Sequence, residues 1–274
     1  MNKLQKKTSF EKTFTSETIE MIIQWLKQSG EIALNQFENS KFSYKADQSF
    51  VTQADLEIEQ FLTQKIKQNF PIHEIIGEES TAENIVQLES EFVWTIDPID
   101  GTTAFIQGLP GWGVAIGLLY CGRPKLGFYY MPLLDDLTYV NQNGDVYCKG
   151  KRLTSASLQS KWDHKGFLAL TTAANSDFDI KIKYLRALGS NMTNLVYTAR
   201  GTAVATFIPK AYLWDMVAGA AILAGLGGEF WYLDGQSVDF KVLLNQQLAP
   251  LPIVAGHPDV LNSLIYLIDR KATE

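Results

Sequence analysis

Trp94-Thr95-Ile96-Asp97-Pro98-Ile99-Asp100-Gly101-Thr102-Thr103 places two carboxylates and two adjacent hydroxyls on a turn that follows an apolar, strand-like run. Carboxylate oxygens are the ligands that hard divalent cations prefer, and a turn leaving a strand is where side chains and backbone carbonyls can converge on an ion. Pro98 fixes its own φ and keeps the residue before it extended, while Gly101 tolerates angles that strain other residues. The two aspartates are therefore held in place. Read alone, the stretch is equally an ordinary solvated turn, because Asp, Pro and Gly dominate such turns as well.

Two distant segments repeat the theme. Ile75-Ile76-Gly77-Glu78-Glu79-Ser80 is another apolar strand ending in acids, and Trp214-Asp215-Met216-Val217-Ala218-Gly219 opens a helix of small apolar residues with an acid in its first turn. Asp215 also has a plain explanation, since an acid in a first helical turn favours the helix dipole with or without a metal. Asp55 has one too: Thr52 suits the N-cap of a helix, and Asp55, three residues on, completes a capping box.

With 274 residues, 46% of them hydrophobic, the chain can bury a large core in one big domain or two moderate ones. A net charge of -6 leaves no basic footprint for nucleic acid. The short group Lys3, Lys6, Lys7 and Lys12 reads as a disordered tail. No apolar run is long enough to span a bilayer, and the polar start lacks the hydrophobic segment of a secretory signal, so the expectation is a cytoplasmic protein. Cys121 and Cys148 lack metal-ligand spacing and read as buried thiols. His73, His164 and His257 lie outside every motif and read as surface or packing residues.

Ile19, Ile22, Ile23, Leu26, Ala33 and Phe37 recur at helical spacing, and a second helix carries Leu56, Phe61, Leu62 and Ile66. From Phe92 the pattern turns to short strands at 92–96, 113–120, 126–131, 137–141 and 145–148, with a hairpin dipeptide at Asn143-Gly144. The second half alternates: strand 167–171, helix 180–188, strand 203–207, helix 214–226, strands 229–233 and 253–255, and a closing helix over 258–269. This order predicts a mixed α/β chain of two layered sub-domains, residues 1–155 and 156–274.

Taken together, Lys45-x-Asp47-x-Ser49-x-Val51-Thr52-x-Ala54-Asp55, Gly77-Glu78-Glu79-Ser80, Asp97-Pro98-Ile99-Asp100-Gly101-Thr102-Thr103 and Trp214-Asp215-x-x-Ala218-Gly219 resemble the signature set of the inositol monophosphatase family. Gly189-Ser190 and Ala199-Arg200-Gly201 are weaker matches to the linker before the Trp-Asp segment. The resemblance implies a layered αβαβα sandwich, a homodimer, and Mg²⁺-dependent, lithium-sensitive hydrolysis of a small phosphorylated metabolite. It implies a first magnesium on Glu78, Asp97 and the Ile99 carbonyl, a second on Asp97, Asp100 and Asp215, and a third, weaker ion that Glu78 also touches. Asp55 and Thr102 would orient and deprotonate the attacking water. The Gly101 and Thr102 amides and the Thr103 hydroxyl would receive the phosphate, with Asp215 beside the substrate. Lys45 would be a cation at the rim, although it also reads as a plain solvated lysine. Glu79 reads as a residue behind the ligands or an exposed one. Trp94 and Trp214 read as core aromatics that pin the acidic turns from behind.

Such chemistry needs such residues. Clustered carboxylates repel one another, and a phosphate ester, by about 4 kcal/mol per contact pair at an effective dielectric near 20. Divalent cations reverse that sign, polarise the phosphoryl oxygens and activate water, so no Ser or Cys nucleophile is required. Three positions depart from the family pattern: Ala104 replaces Asn, Phe50 replaces Pro, and Ile208 stands seven residues before Asp215, where inositol-specific relatives carry a Glu that accepts a sugar hydroxyl. An unpaired hydroxyl against Ile208 would cost roughly 1 to 3 kcal/mol, which weakens an inositol preference and leaves Lys210 and Tyr212 to line a different leaving-group pocket. The alternatives on the same scaffold are a nucleotide 3′-phosphatase, a sugar bisphosphatase, or a non-catalytic regulatory relative.

Overall fold

Helix α1 (Ser16–Gln36) forms where Ile19, Ile22, Ile23, Leu26 and Ala33 share one face, and all five are buried. Each large aliphatic side chain removed from water there contributes roughly 1.5–3 kcal/mol. Thr15 caps the helix by accepting the Thr18 N–H. The computed structural model describes residues 10–37, 41–80, 90–163 and 165–271; Lys3, Lys6, Lys7 and His164 lie outside the described residues.

A hairpin of β1 (Phe42–Tyr44) and β2 (Phe50–Thr52) leads into α2 (Gln53–Asn69), β3 (Glu74–Gly77), the long β4 (Phe92–Asp100) and a short α3 (Thr102–Ile106). An antiparallel meander follows: β5 (Gly113–Tyr120), β6 (Arg123–Met131), β7 (Asp136–Val140), β8 (Val146–Cys148) and β9 (Lys151–Arg152). The second half contains β10 (Leu168–Leu170), α4 (Ala174–Asp177), β11 (Phe178–Ile180), β12 (Leu185–Ala187), α5 (Asn191–Ala199) and β13 (Ala205–Ile208). It ends with α6 (Val217–Ala224), β14 (Glu229–Tyr232), α7 (Phe240–Gln246), β15 (Ile253–Gly256), α8 (Pro258–Leu264) and β16 (Ile268–Arg270).

Strands β3 to β9 form a seven-stranded sheet in sequence order, with only the β3–β4 pair parallel. A five-stranded mixed sheet has the order β12-β10-β13-β15-β14. Helices α1 and α2 cover one face of the larger sheet, α5 and α6 lie between the sheets, and α8 packs on β15 beyond the second. The result is the layered αβαβα arrangement. Burial on both faces explains why β4 and β5 read as continuous apolar runs rather than alternating ones. The middle layer demands a close approach of helix and strand: a methyl group at Gly127 of β6 would collide with the Ala218 carbonyl oxygen of α6.

Several elements differ from the sequence reading. Residues 180–188 are not a helix; Phe178–Ile180 pairs with β16 and Leu185–Ala187 runs parallel to β10. The alternation of Ile180, Ile182 and Tyr184 with Lys181 and Lys183 is a strand period of two. Asp97 and Asp100 belong to β4 itself rather than to a turn after it, with a register irregularity between them against β5. Pro98 lacks the N–H that a regular ladder needs, which favours a bulge at this point. The helix expected over 214–226 is confined to Val217–Ala224, so Asp215 precedes it. The closing helix stops at Leu264 because the chain turns back to pair β16 with β11. Helices α3, α4, α5 and α7 lay outside the sequence reading. Cys121 and Cys148 are half-buried and carry no disulfide. His73 accepts the Trp94 indole N–H at 3.0 Å, and its burial pushes the imidazole down to about 4. His257 caps α8.

Candidate active site

The C-terminal end of β4, the turn after β3 and the turn before α6 meet at the edge of the larger sheet. One carboxylate oxygen each from Asp97, Asp100 and Asp215 lies within 4.8 Å of the others. Asp97 and Asp100 are buried, and Asp215 is half-buried. Each is fixed differently. Asp100 Oδ2 accepts the Met192 N–H at 2.9 Å, at the start of α5, and Asp215 Oδ2 accepts the Tyr212 N–H at 2.7 Å. Asp97 Oδ1 is buried with no hydrogen-bond partner among the described residues.

Burial raises the pKa of all three. Asp97 lies well above the carboxylate range, through burial first and then the charges of Glu78, Asp100, Asp215 and Asp55. Asp215 rises likewise, through burial and Glu78. Asp100 is pushed up to about 7 by burial, held back by hydrogen bonds from Ser190, the Met192 amide and Tyr129. An orphaned, buried acceptor amid like charges fits a hard divalent cation, because oxygen donors at this spacing are what such an ion requires.

Glu78 stands outside the tight trio. Its carboxylate accepts Lys45 Nζ at 2.7 Å, and the same ammonium reaches Glu79 Oε1 at 2.7 Å. Burial works against the charge of Lys45, but Glu78 and Glu79 outweigh it and lift the ammonium above the ordinary lysine range. Lys45 is therefore a paired cation, not a plain solvated lysine. Glu79 is not merely exposed either: its side chain is 8% accessible and rises to about 7, mainly by burial.

Asp55 completes the cap foreseen for it and also reaches toward Thr102. The Thr52–Asp55 capping box is closed, with the Thr52 N–H 2.7 Å from Asp55 Oδ2. The other oxygen faces the Thr102 hydroxyl at 3.5 Å, while that hydroxyl also lies 3.1 Å from the Ile99 carbonyl. Burial raises Asp55 to about 6 despite its bonds to Thr52. Gly101 precedes α3 at φ 96°, where a methyl group would lie 2.8 Å from Ser190 Cβ.

A cleft of about 780 Å³ opens beside these groups and is lined by Glu78, Gly101, Thr102, Thr103 and Phe50 among others. A larger groove of about 1040 Å³ runs along α2 and β3; it touches Glu79 but none of the three aspartates. Ile208 lines neither. It is fully buried opposite Ile253 in the core between the sheets, so it does not face a leaving group as the sequence suggested. Lys210 and Tyr212 are also absent from the cleft wall: Lys210 Nζ sits 5.0 Å from the Tyr212 ring, which stacks on Trp214 at 4.8 Å. Ala104 is buried.

Sequence reasoning missed the groups behind the acids. Tyr129, Ser190 and Thr193 form a buried hydroxyl cluster next to Asp100, with Tyr129 Oη 2.8 Å from Thr193 Oγ1. Glu59 Oε2 accepts the Glu79 N–H at 2.8 Å, holding the turn after β3. A signal existed for the first group: Ser190 followed by Met192, Leu195, Val196 and Ala199 is a capped helical pattern.

The inositol monophosphatase family model matches residues 15–265. Inositol monophosphatase 2 of Solanum lycopersicum is 33% identical over 227 residues, covering 77% of this chain and 86% of that protein. Inositol-1-monophosphatase of Bacillus subtilis is 28% identical over 271 residues, covering 93% and 98%. A solved IMPase/NADP phosphatase with Mg²⁺ and phosphate superposes with a TM-score of 0.80 at 19% identity, over 92% of this chain and 94% of that one. The chain belongs to the inositol monophosphatase family. It is a phosphoric monoester hydrolase whose reaction depends on magnesium.

Proposed function

We propose that the site hydrolyses a small phosphate monoester with Asp97, Asp100, Asp215, Glu78 and the Ile99 carbonyl holding two or three Mg²⁺ ions. Bound there, magnesium supplies positive charge for the phosphoryl oxygens and acidifies water. Asp55 and Thr102 orient the attacking water, and Asp55 takes up its proton. A pKa raised to about 6 suits a base working near neutral pH. The Gly101 and Thr102 amides and the Thr103 hydroxyl receive the phosphate, and Lys45 steadies Glu78 from the rim. Asp215 closes the substrate side. The observation that carries this reading is the convergence of three carboxylate oxygens within 4.8 Å, which a cation relieves.

The residues fall into two sub-domains, 1–155 and 156–274, in this reading. The larger sheet ends at Arg152 and the smaller begins at Leu168, which supports that division. Lithium inhibition and a homodimer accompany the family resemblance; a cytoplasmic setting belongs to the same reading, and among the described residues no helix is long and apolar enough to cross a membrane. The test is phosphate release from a panel of sugar, polyol and nucleotide phosphates, with and without Mg²⁺ and Li⁺. Magnesium-dependent release that Asp100→Asn abolishes is expected. No release from any ester, together with no Mg²⁺ binding by calorimetry, would overturn the reading.

A further inference from the structure

Behind Asp100 stand three hydroxyls from two elements: Tyr129 on β6, and Ser190 and Thr193 at the start of α5. The sheet register explains how Tyr129 reaches this place. Asp97 pairs with Ala115 and Ala115 with Tyr129, so the three side chains share one face of β4, β5 and β6. Asp100 pairs with Gly113, two residues before Ala115, and a methyl group on Gly113 would lie 2.7 Å from Tyr129 Cζ. The bare backbone at Gly113 is therefore the gap across which the phenol extends from β6 toward Asp100 on β4. Tyr129 is fully buried, and a buried phenol needs a partner for its hydroxyl where an apolar residue would not.

The bonds among these hydroxyls have a direction. Ser190 Oγ accepts the Thr193 N–H at 3.1 Å and donates to Thr193 Oγ1 at 2.9 Å, and Thr193 Oγ1 lies 2.8 Å from Tyr129 Oη. The Tyr129–Ser190 contact, at 3.2 Å, is the longest of the three between hydroxyls. Each hydroxyl has one proton to give. With the Ser190 proton on Thr193, the Thr193 proton falls to Tyr129 in preference to Met131 Sδ, a weak acceptor 3.8 Å away. The Tyr129 proton is then left for Asp100, its hydrogen-bonding neighbour, which as a carboxylate only accepts. Bonds in such a chain polarise one another, and the last one, to a charged group, is the strong one.

We propose that Tyr129 is a positioning residue of the metal centre: as the last donor of the chain Ser190–Thr193–Tyr129 it fixes the Asp100 carboxylate from behind, while the Met192 N–H holds Oδ2, so that Asp100 turns its remaining lone pairs to the ion it shares with Asp97 and Asp215. The inference rests on the magnesium-dependent reading above and adds to it a group that acts on the ion through Asp100 alone. Its effect is therefore on metal affinity and not on the chemical step once the metal is bound.

Calorimetry of Mg²⁺ binding to the full chain, joined with initial rates over a range of Mg²⁺, tests the inference. Tyr129→Phe keeps the ring and removes the hydroxyl; it is expected to weaken Mg²⁺ binding by about tenfold or more, the scale for losing a group that orients a metal ligand. The Mg²⁺ concentration for half-maximal activity should rise by the same factor, while kcat and the substrate KM return to wild-type values at saturating Mg²⁺. Thr193→Val removes the donor to Tyr129 and should weaken binding by a smaller factor, which Thr193→Ser should restore. Tyr130→Phe is the control: it removes a β6 hydroxyl that donates to Asp135 Oδ1 at 2.9 Å and should leave Mg²⁺ affinity unchanged. Wild-type Mg²⁺ affinity in folded Tyr129→Phe, or equal weakening in Tyr130→Phe, would overturn the inference alone. Should Tyr129→Phe fail to fold, wild-type affinity in Thr193→Val, or no recovery in Thr193→Ser, overturns it instead. No Mg²⁺ binding and no phosphate release by the wild-type protein would sink it together with the reading beneath it.

Discussion

The Met192 backbone N–H donates to Asp100 Oδ2 at 2.9 Å, joining the end of β4 to the first turn of α5 across 92 residues of chain. Helix N-termini present unsatisfied N–H groups, and an acid placed there is both hydrogen-bonded and favoured by the dipole. Asp100 thus keeps its position in a site where burial and neighbouring charges work against its ionisation. Ser190 contributes twice, as the cap of α5 and as a hydrogen-bonding neighbour of the same carboxylate.

Ser190→Ala should therefore cost about 1 kcal/mol of stability through loss of the cap. It should also raise the Mg²⁺ concentration for half-maximal activity by roughly tenfold, the usual scale for losing a group that orients a metal ligand. Chemical denaturation and a magnesium titration of initial rates would check the two effects separately.

Asp97→Asn is expected to lower kcat by on the order of 10²–10³-fold, as removal of one preorganised charged group does elsewhere. Without metal, this variant should melt at or above the metal-free wild type near pH 8, because one buried like charge is gone. Magnesium should stabilise the wild type by about 2.7 kcal/mol at a hundredfold excess over Kd and the variant by much less. Paired melting curves with and without Mg²⁺ would show this; equal magnesium stabilisation of both would exclude Asp97 as a ligand.

Stability of the metal-free protein should fall as pH rises from about 4 to about 7. Asp55, Asp100 and Glu79 have folded-state pKa values raised to about 6, 7 and 7, from 3.8, 3.8 and 4.5. The folded state then binds more protons than the unfolded chain across that window, so the contribution of these groups is present at the acid end and lost on the way up. Saturating Mg²⁺ should flatten or invert the trend. Denaturant midpoints at several pH values, with and without Mg²⁺, would reveal it.

Arg200 gives a control outside the site. Its guanidinium bonds both Asp136 oxygens, at 2.8 and 2.5 Å, and Thr138 Oγ1 at 2.7 Å, fastening the end of α5 to β7. Arg200→Met leaves a buried acid short of its main partner and should cost about 3–5 kcal/mol. Folded variant protein is expected to retain kcat, so thermal unfolding should respond where turnover does not.

The helices and the strands of the larger sheet were legible from local signals, helical spacing in Ile19 to Ala33 and continuous apolar runs, whereas the αβαβα layering and the acidic trio were legible only through the family resemblance, because acids at element ends suit solvated turns and helix dipoles equally. Asp55 was legible as the partner of Thr52 in the capping box and, through the family resemblance, as a companion of Thr102. Residues 180–188 misled because Ile180 and Leu185 serve two short strands with separate partners, Ile180 pairing with Ile268 of the distant β16 and Leu185 with Leu168 of β10, which no helical or strand period within the segment reports. Ile208 misled because its position before Asp215 fixes sequence distance, while its pairing with Ile253 decides which way it faces. The linkage of Lys45 to both Glu78 and Glu79 depends on folding of a hairpin against a distant turn, which no local pattern reports.

The irregularity in β4 has one more effect. Between the pairs Asp97–Ala115 and Asp100–Gly113, one strand advances three residues while its neighbour advances two. Side chains three apart on an unbroken pleat project to opposite sides. The surplus residue resets that parity and lets both carboxylates address the same ion. Adding one residue to β5 between Gly113 and Ala115 would restore an unbroken pleat over three residues and turn one ligand away, so the metal centre depends on chain length here as much as on chemistry.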